Sequence, residues 1–145
     1  MSYPDDRTPV LLLVVLAERH LAEALQARLV AAGFEDHRLV HHNVMAHVTH
    51  EGIRLTELAD KAGITKQAMS ELVTDLERLG YLQRRADPND GRAKLIRFTD
   101  KGRAAVEAAM GAFEDMDTAL GARSLLALRR ELLAVLETSF DQLES

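Results

Sequence analysis

The chain has 145 residues, of which 47% are hydrophobic, 28% charged and 4% aromatic, with no Trp and no Cys; this is the profile of one helix-rich globular domain. The lack of cysteine excludes disulfides, thiolate metal sites and thiol redox sensing. The net charge of -5 argues against a nucleic-acid partner until it is divided along the chain, where residues 54–97 carry 9 basic and 7 acidic side chains, residues 1–53 carry 4 and 7, and residues 98–145 carry 5 and 9.

The first apolar run, VLLLVVLA at residues 10–17, is too short for a bilayer span, which needs roughly 20 apolar residues. Acidic Asp5 and Asp6 precede it and no small-residue cleavage site follows, so the expected location is cytoplasmic, with no membrane partner. From about Pro9 to Ala32 the Leu- and Ala-rich sequence predicts a long helix, with Pro9 in its first turn and Gly33 as its stop. A second helix is expected from Asp36, a good N-cap residue, to about His50.

Two helices then follow in quick succession. Thr56 is expected to cap the first, TELADKAG, which stops at Gly63; Thr65 is expected to cap the second, TKQAMSELVTDLERLG, which stops at Gly80. In the second, Met69, Leu72, Val73, Leu76 and Leu79 form one apolar stripe at helical spacing. Ala59 is small where the two helices would touch, and Gly63 can take the left-handed conformation that ends the first. The pair reads as a helix-turn-helix.

YLQRRAD and AKLIRFT then read as two short strands around a Pro88-Asn89-Asp90-Gly91 turn. This charged finger directly follows the helix pair, as a winged domain requires. Thr99 and Asp100 open a further helix to about Leu120, Gly121 breaks it, and a last helix covers roughly Ser124 to Leu143. The fold class is therefore mainly α: a winged helix-turn-helix (54–99) with N- and C-terminal helices (1–35 and 105–145) forming a dimerisation region, all within one domain. Val10 to Leu16 is apolar on all sides, and the last helix offers Leu125, Leu128, Leu132, Leu133, Val135, Leu136, Phe140 and Leu143, more than a thin domain buries alone.

On a duplex, the second helix of the pair suits the major groove, about 12 Å wide. Gln67 is placed to read a base edge, because its amide pairs bidentately with adenine, and Ser70 to touch base or phosphate. Lys66 and the amides capped by Thr65 suit phosphate, and Thr74 shares their face. Glu71 and Asp75 read as a solvated face. Arg92 at the finger tip is expected in the minor groove, with the Asp90 carboxylate bracing its guanidinium; Arg84, Arg85, Lys94 and Arg97 lie on the strands, where those facing outwards would meet phosphates.

The segment RLTELADKAGITKQAMSELVTDLERLGYLQRRADPNDGRAKLIRFTDKG closely resembles the MarR family of bacterial transcriptional regulators, most strongly over residues 54–103 and in the wing motif DPNDGRAK. The resemblance implies a homodimer built from the first and last helices that binds a palindromic operator, usually as a repressor, and that answers to a small-molecule effector. It carries Asp90 and Arg92 over as the wing pair, and Thr65 to Ser70 as the start of the recognition helix. FEDHRLV at 34–40 departs from the family's usual pattern, which leaves the effector pocket the least transferable part.

Five of the six histidines fall within residues 37–50. His37 with His41, and His47 with His50, have spacings acceptable for a metal clamp on a helix, so a zinc-responsive regulator is the alternative. Otherwise no cofactor is expected. There is no Gly-rich phosphate loop, no HExxH, no GxSxG and no Cys nucleophile, and no enzyme is expected. A winged-helix protein-interaction module is the remaining reading; it has no need of Arg92.

Overall fold

A computed structural model describes residues 4 and 6–139. In chain order its elements are α1 (Val10–Ala31), α2 (Leu39–Met45), α3 (Leu55–Ala62), α4 (Lys66–Arg78), β1 (Leu82–Asp87), β2 (Asp90–Phe98), α5 (Asp100–Leu120) and α6 (Ala122–Glu137). They fall into two compact units, Met1–Met110 and Gly111–Ser145.

The first unit is organised by the apolar stripe of α4. Met69, Val73 and Leu76 are fully buried, together with Leu58 and Ala59 of α3, Val44 of α2, and Ile53, Tyr81, Leu82 and Ile96 around the hairpin. Small Ala59 and the left-handed Gly63 (φ 67°, ψ 29°) end α3 and allow the tight turn into α4. There a side chain with a β-carbon would be strained. Thr65 then caps α4, its Oγ accepting the Ala68 N–H at 3.1 Å, which satisfies one of the amides that the first helical turn leaves unpaired.

The strands β1 and β2 pair antiparallel, in register from Leu82 opposite Phe98 to Ala86 opposite Lys94; an irregularity then brings Asp87 opposite Asp90. Ile53 and Ile96 exchange backbone hydrogen bonds of 3.0 and 2.8 Å, so the segment before α3 joins the hairpin as a third, one-residue strand. The helix α5 starts against the root of the wing: the Thr99 N–H donates to the Tyr81 carbonyl at 3.0 Å and the Thr99 hydroxyl accepts the Gly102 N–H at 3.0 Å. At Gly102 the backbones approach so closely that a β-carbon would lie 2.1 Å from the Tyr81 carbonyl oxygen.

Three sequence expectations are corrected. The second helix spans Leu39–Met45 rather than 36–50, with Arg38 and not Asp36 at its N-cap. The Asp36 carboxylate instead accepts the Tyr81 hydroxyl and the Lys101 ammonium, the latter at 2.7 Å, so a tertiary partner has displaced the local cap. Thr56 lies inside α3, whose N-cap is Arg54. The second strand begins at Asp90 rather than Ala93, because the loop is only Pro88-Asn89.

In the second unit, α6 has no buried residue, and Leu126, Leu133 and Leu136 stand in solvent. Phe140 and Leu143 lie outside the described residues. In the first unit, Val10, Leu11 and Val15 of α1 are similarly exposed. Among the described residues no helix is long and apolar enough to cross a membrane.

Candidate nucleic-acid interface

Because Met69, Val73 and Leu76 face the core, the 3.6-residue period turns Lys66, Gln67, Glu71 and Thr74 outward, and all four are exposed while Ser70 is half-buried. Ser70, Glu71, Thr74, Asp75 and Arg78 line a shallow hollow on this face. The Thr74 hydroxyl donates to the Ser70 carbonyl at 2.8 Å, which leaves its oxygen lone pairs as acceptors.

Asp75 is more than a solvated acid. It accepts from Arg38, from Arg78 at 2.6 Å and from the His41 ring at 3.0 Å. Arg78 and His41, followed by Arg38, hold its carboxyl down at about 2. The helix α4 is thereby fastened to α2 by a carboxylate that stays ionised throughout the neutral range.

On the wing, Arg92 is exposed and has no ion pair among the described residues. The expected bracing of its guanidinium by Asp90 is not made. Asp90 Oδ1 accepts the Arg92 backbone N–H at 3.2 Å, the short-range contact favoured when an Asx side chain lies two residues before an amide. The guanidinium that Asp90 faces is Arg54, at 3.6 Å, and Arg54 pairs more closely with Asp87, at 2.8 Å. Hydrogen bonds from Arg54 and from the Asn89 backbone lower the Asp87 carboxyl below the ordinary carboxylate value. Arg54 therefore ties the start of α3 to the wing tip.

The remaining basic residues divide by environment. Arg84 is half-buried and pairs with Glu77 at 2.5 Å, so its charge is held against α4. Arg85 is exposed and bonds only its neighbour Gln83 among the described side chains, while Lys94 is exposed. Arg97 buries its Nε without a hydrogen-bond partner. Sequence reasoning missed Arg54 and Arg38. Arg54 is one of the nine basic residues of the middle segment, but its partner lies 33 positions on and no local pattern joins them.

The histidines do not form the clamp that their spacing allowed. His37 and His41 are buried, whereas His47 and His50 lie beyond the end of α2. No group of three or more His, Asp or Glu side chains among the described residues could hold a metal ion. Instead His37, His41 and His42 pack ring on ring, with centroids 5.4 and 5.2 Å from His37.

Comparison with known proteins places this geometry. Residues 36–93 match the model of the MarR family. HTH-type transcriptional regulators of Bacillus cereus and Bacillus anthracis are 36% identical over 62 residues, covering 43% of this chain and 40% of each relative's length. A mutant MarR from E. coli, complexed with operator DNA, has the same fold with a TM-score of 0.70 at 20% identity, covering 94% of this chain and 99% of that one. CouR from Rhodococcus jostii RHA1, bound to p-coumaroyl-CoA, gives 0.69 at 22% identity, with 93% and 96% covered. Sequence match and fold agree: residues 36–93 are similar to the MarR family, and the chain has the fold of solved MarR structures.

Proposed function

We propose that the protein is a cytoplasmic, ligand-responsive homodimeric repressor that binds a palindromic operator. The carrying observation is the division of α4, which seals Met69, Val73 and Leu76 completely in the core and leaves Lys66, Gln67 and Thr74 in solvent, with an unpaired Arg92 on the adjoining wing. In this reading Gln67 reads a base edge in the major groove, Ser70 and Thr74 contact base or phosphate, and Lys66 with the Thr65-capped amides holds a phosphate. Arg92 enters the minor groove, and Arg85 and Lys94 meet the backbone beside it. Arg84 reaches a phosphate only by leaving Glu77.

Exposed apolar side chains support the homodimer: Val10, Leu11 and Leu136 keep 67%, 76% and 82% of their surface in solvent, which a partner copy would cover. The operator-bound MarR and the p-coumaroyl-CoA-bound CouR share this fold, which supports duplex DNA and a small-molecule effector as partners.

Selection from a random duplex pool tests the reading. The expected winners are inverted repeats whose half-site centres lie about one helical turn, ~34 Å, apart; recovery of no enriched sequence contradicts it. On the selected site, Gln67→Ala is expected to relax discrimination at one base pair by ~1 to 3 kcal/mol, whereas Lys66→Ala weakens all sequences alike and flattens the salt dependence. Competition titrations against single-base variants check this, and a uniform loss with Gln67→Ala removes that residue from base reading.

A further inference from the structure

We propose that the triad of the buried His37 and His41 with the half-buried His42 is a proton-operated latch on the recognition helix, holding α4 in its DNA-binding position while the three rings are neutral and releasing DNA when they protonate. The inference rests on the DNA-binding reading for its consequence, and on the geometry of α2 for its mechanism.

Hydrogen-bond roles fix the tautomers. The Arg38 backbone N–H can only donate, so the His41 Nδ1 that receives it at 3.1 Å carries no proton. The proton of the neutral ring then sits on Nε2, 3.0 Å from the Asp75 carboxylate of α4. One imidazole thus caps α2 and grips the recognition helix. Gln26 of α1 donates its amide to the His37 carbonyl, leaving its Oε1 to accept from His42 Nε2 at 3.2 Å. His42 therefore has its free lone pair on Nδ1. His37 keeps a buried Nδ1 with no partner, stacks on His42 with ring planes 25° apart, and packs edge-on against Tyr81 at the root of the wing.

Protonation attacks the seat of α2, while the Nε2–H of His41 stays on the Asp75 carboxylate and that of His42 on Gln26. A proton on His41 Nδ1 sets two donors face to face and removes the cap from α2. Protons on His37 and His42 place like charges in stacked rings, that of His37 buried away from water.

The charged groups around the triad do not reverse this. Glu18 of α1 favours protonation of His42, Asp36 that of His37, and Asp75 of α4 followed by Asp36 that of His41. However, Asp36 is already engaged by Lys101 of α5 and by Tyr81, and Asp75 by Arg38 and Arg78. The neighbouring histidines oppose protonation of His37 and His42, and Arg38 opposes that of His41. Burial, joined by His42 and His41, lowers His37 to about 4, and burial lowers the other two as well.

The sign follows from those directions. Above an ordinary histidine value of about 6.5 all rings are neutral in either arrangement and the closed latch is intact. As pH falls from there towards about 4, an opened latch takes up protons that the closed one refuses. At about pH 5 the His37 ring alone favours opening roughly thirtyfold.

The test is DNA affinity against pH, by anisotropy of a labelled duplex selected at about pH 7.5, for the wild type and for His37→Phe/His42→Gln. The variant keeps the ring packing at 37 and an amide partner for Gln26 at 42, and cannot protonate either. The wild type is expected to lose about tenfold or more affinity by about pH 5, beyond any loss in the variant. Equal losses in the two proteins overturn the latch.

If neither protein binds any duplex near neutrality, the DNA-binding reading fails, and NMR of the wild type decides the latch by itself. It is upheld if α4 amide shifts move at the midpoint of the histidine ring protons, and overturned if α4 stays still as the rings titrate. The same spectra decide it should the variant fail to fold.

Discussion

Gly102→Ala is expected to destabilise the protein by about 2 to 4 kcal/mol, lowering its thermal midpoint by roughly 10 °C. Alanine in a helix interior ordinarily gains ~1 kcal/mol over glycine, so the sign is reversed here by one contact. The new β-carbon would sit 2.1 Å from the Tyr81 carbonyl oxygen, an atom that cannot swing aside because it accepts the Thr99 N–H and the Thr99 hydroxyl at 3.0 and 3.1 Å. Relief requires either α5 or the start of β1 to move. Both carry core residues, Ala105 on the helix and Tyr81 with Leu82 at the strand. Gly111, in the same helix, meets nothing within 4 Å, and Gly111→Ala is expected to raise stability by a few tenths to 1 kcal/mol. Thermal melts of the two variants check the contrast. If both shift in the same direction, the close approach at the wing root does not constrain the fold.

The second large effect is expected from Arg92→Ala, which should weaken operator binding by ~1 to 3 kcal/mol per wing, about tenfold to a hundredfold, and leave the melting temperature unchanged. The side chain is exposed and unpaired among the described residues, so truncation removes nothing that the folded chain uses. Its backbone remains pinned to Asp90 through the 3.2 Å hydrogen bond, so the wing tip keeps its shape in the variant. Arg54→Ala is the informative control. It breaks the 2.8 Å pair with Asp87 and loosens the wing without touching Arg92, so any loss in affinity then reflects positioning. Quantitative gel shifts with both variants separate contact from placement; an unaltered affinity for Arg92→Ala removes the wing tip from the interface.

The sequence was most legible where a residue acts on its immediate neighbours. Thr65 capping α4, Gly63 ending α3 and the buried Met69-Val73-Leu76 stripe each follow from offsets of three to six residues, and the structure has all three. Legibility failed where a distant partner outcompeted a local one. Asp36 has the chemistry of a helix cap, but Tyr81 and Lys101, 45 and 65 residues on, occupy its carboxylate, and α2 starts three residues later than expected. The Asp90–Arg92 pairing was placed on the right residues and the wrong atoms: a separation of two favours the backbone amide, and the guanidinium nearest Asp90 belongs to Arg54. The histidines were legible as a cluster but not as a core, because helical spacing cannot tell a face turned outwards for a metal from one turned inwards against Asp75 and Tyr81.

The central claim is that α4 and the wing of two chains grip one duplex through both grooves. Sedimentation velocity of a labelled duplex carrying the selected site, titrated with the protein at low and then rising salt, addresses it in one experiment. Two chains should co-sediment with each duplex, and added salt should release them together as phosphate contacts give way to counterions. A duplex that sediments at its free rate at low ionic strength, in the presence of excess folded protein, would contradict it.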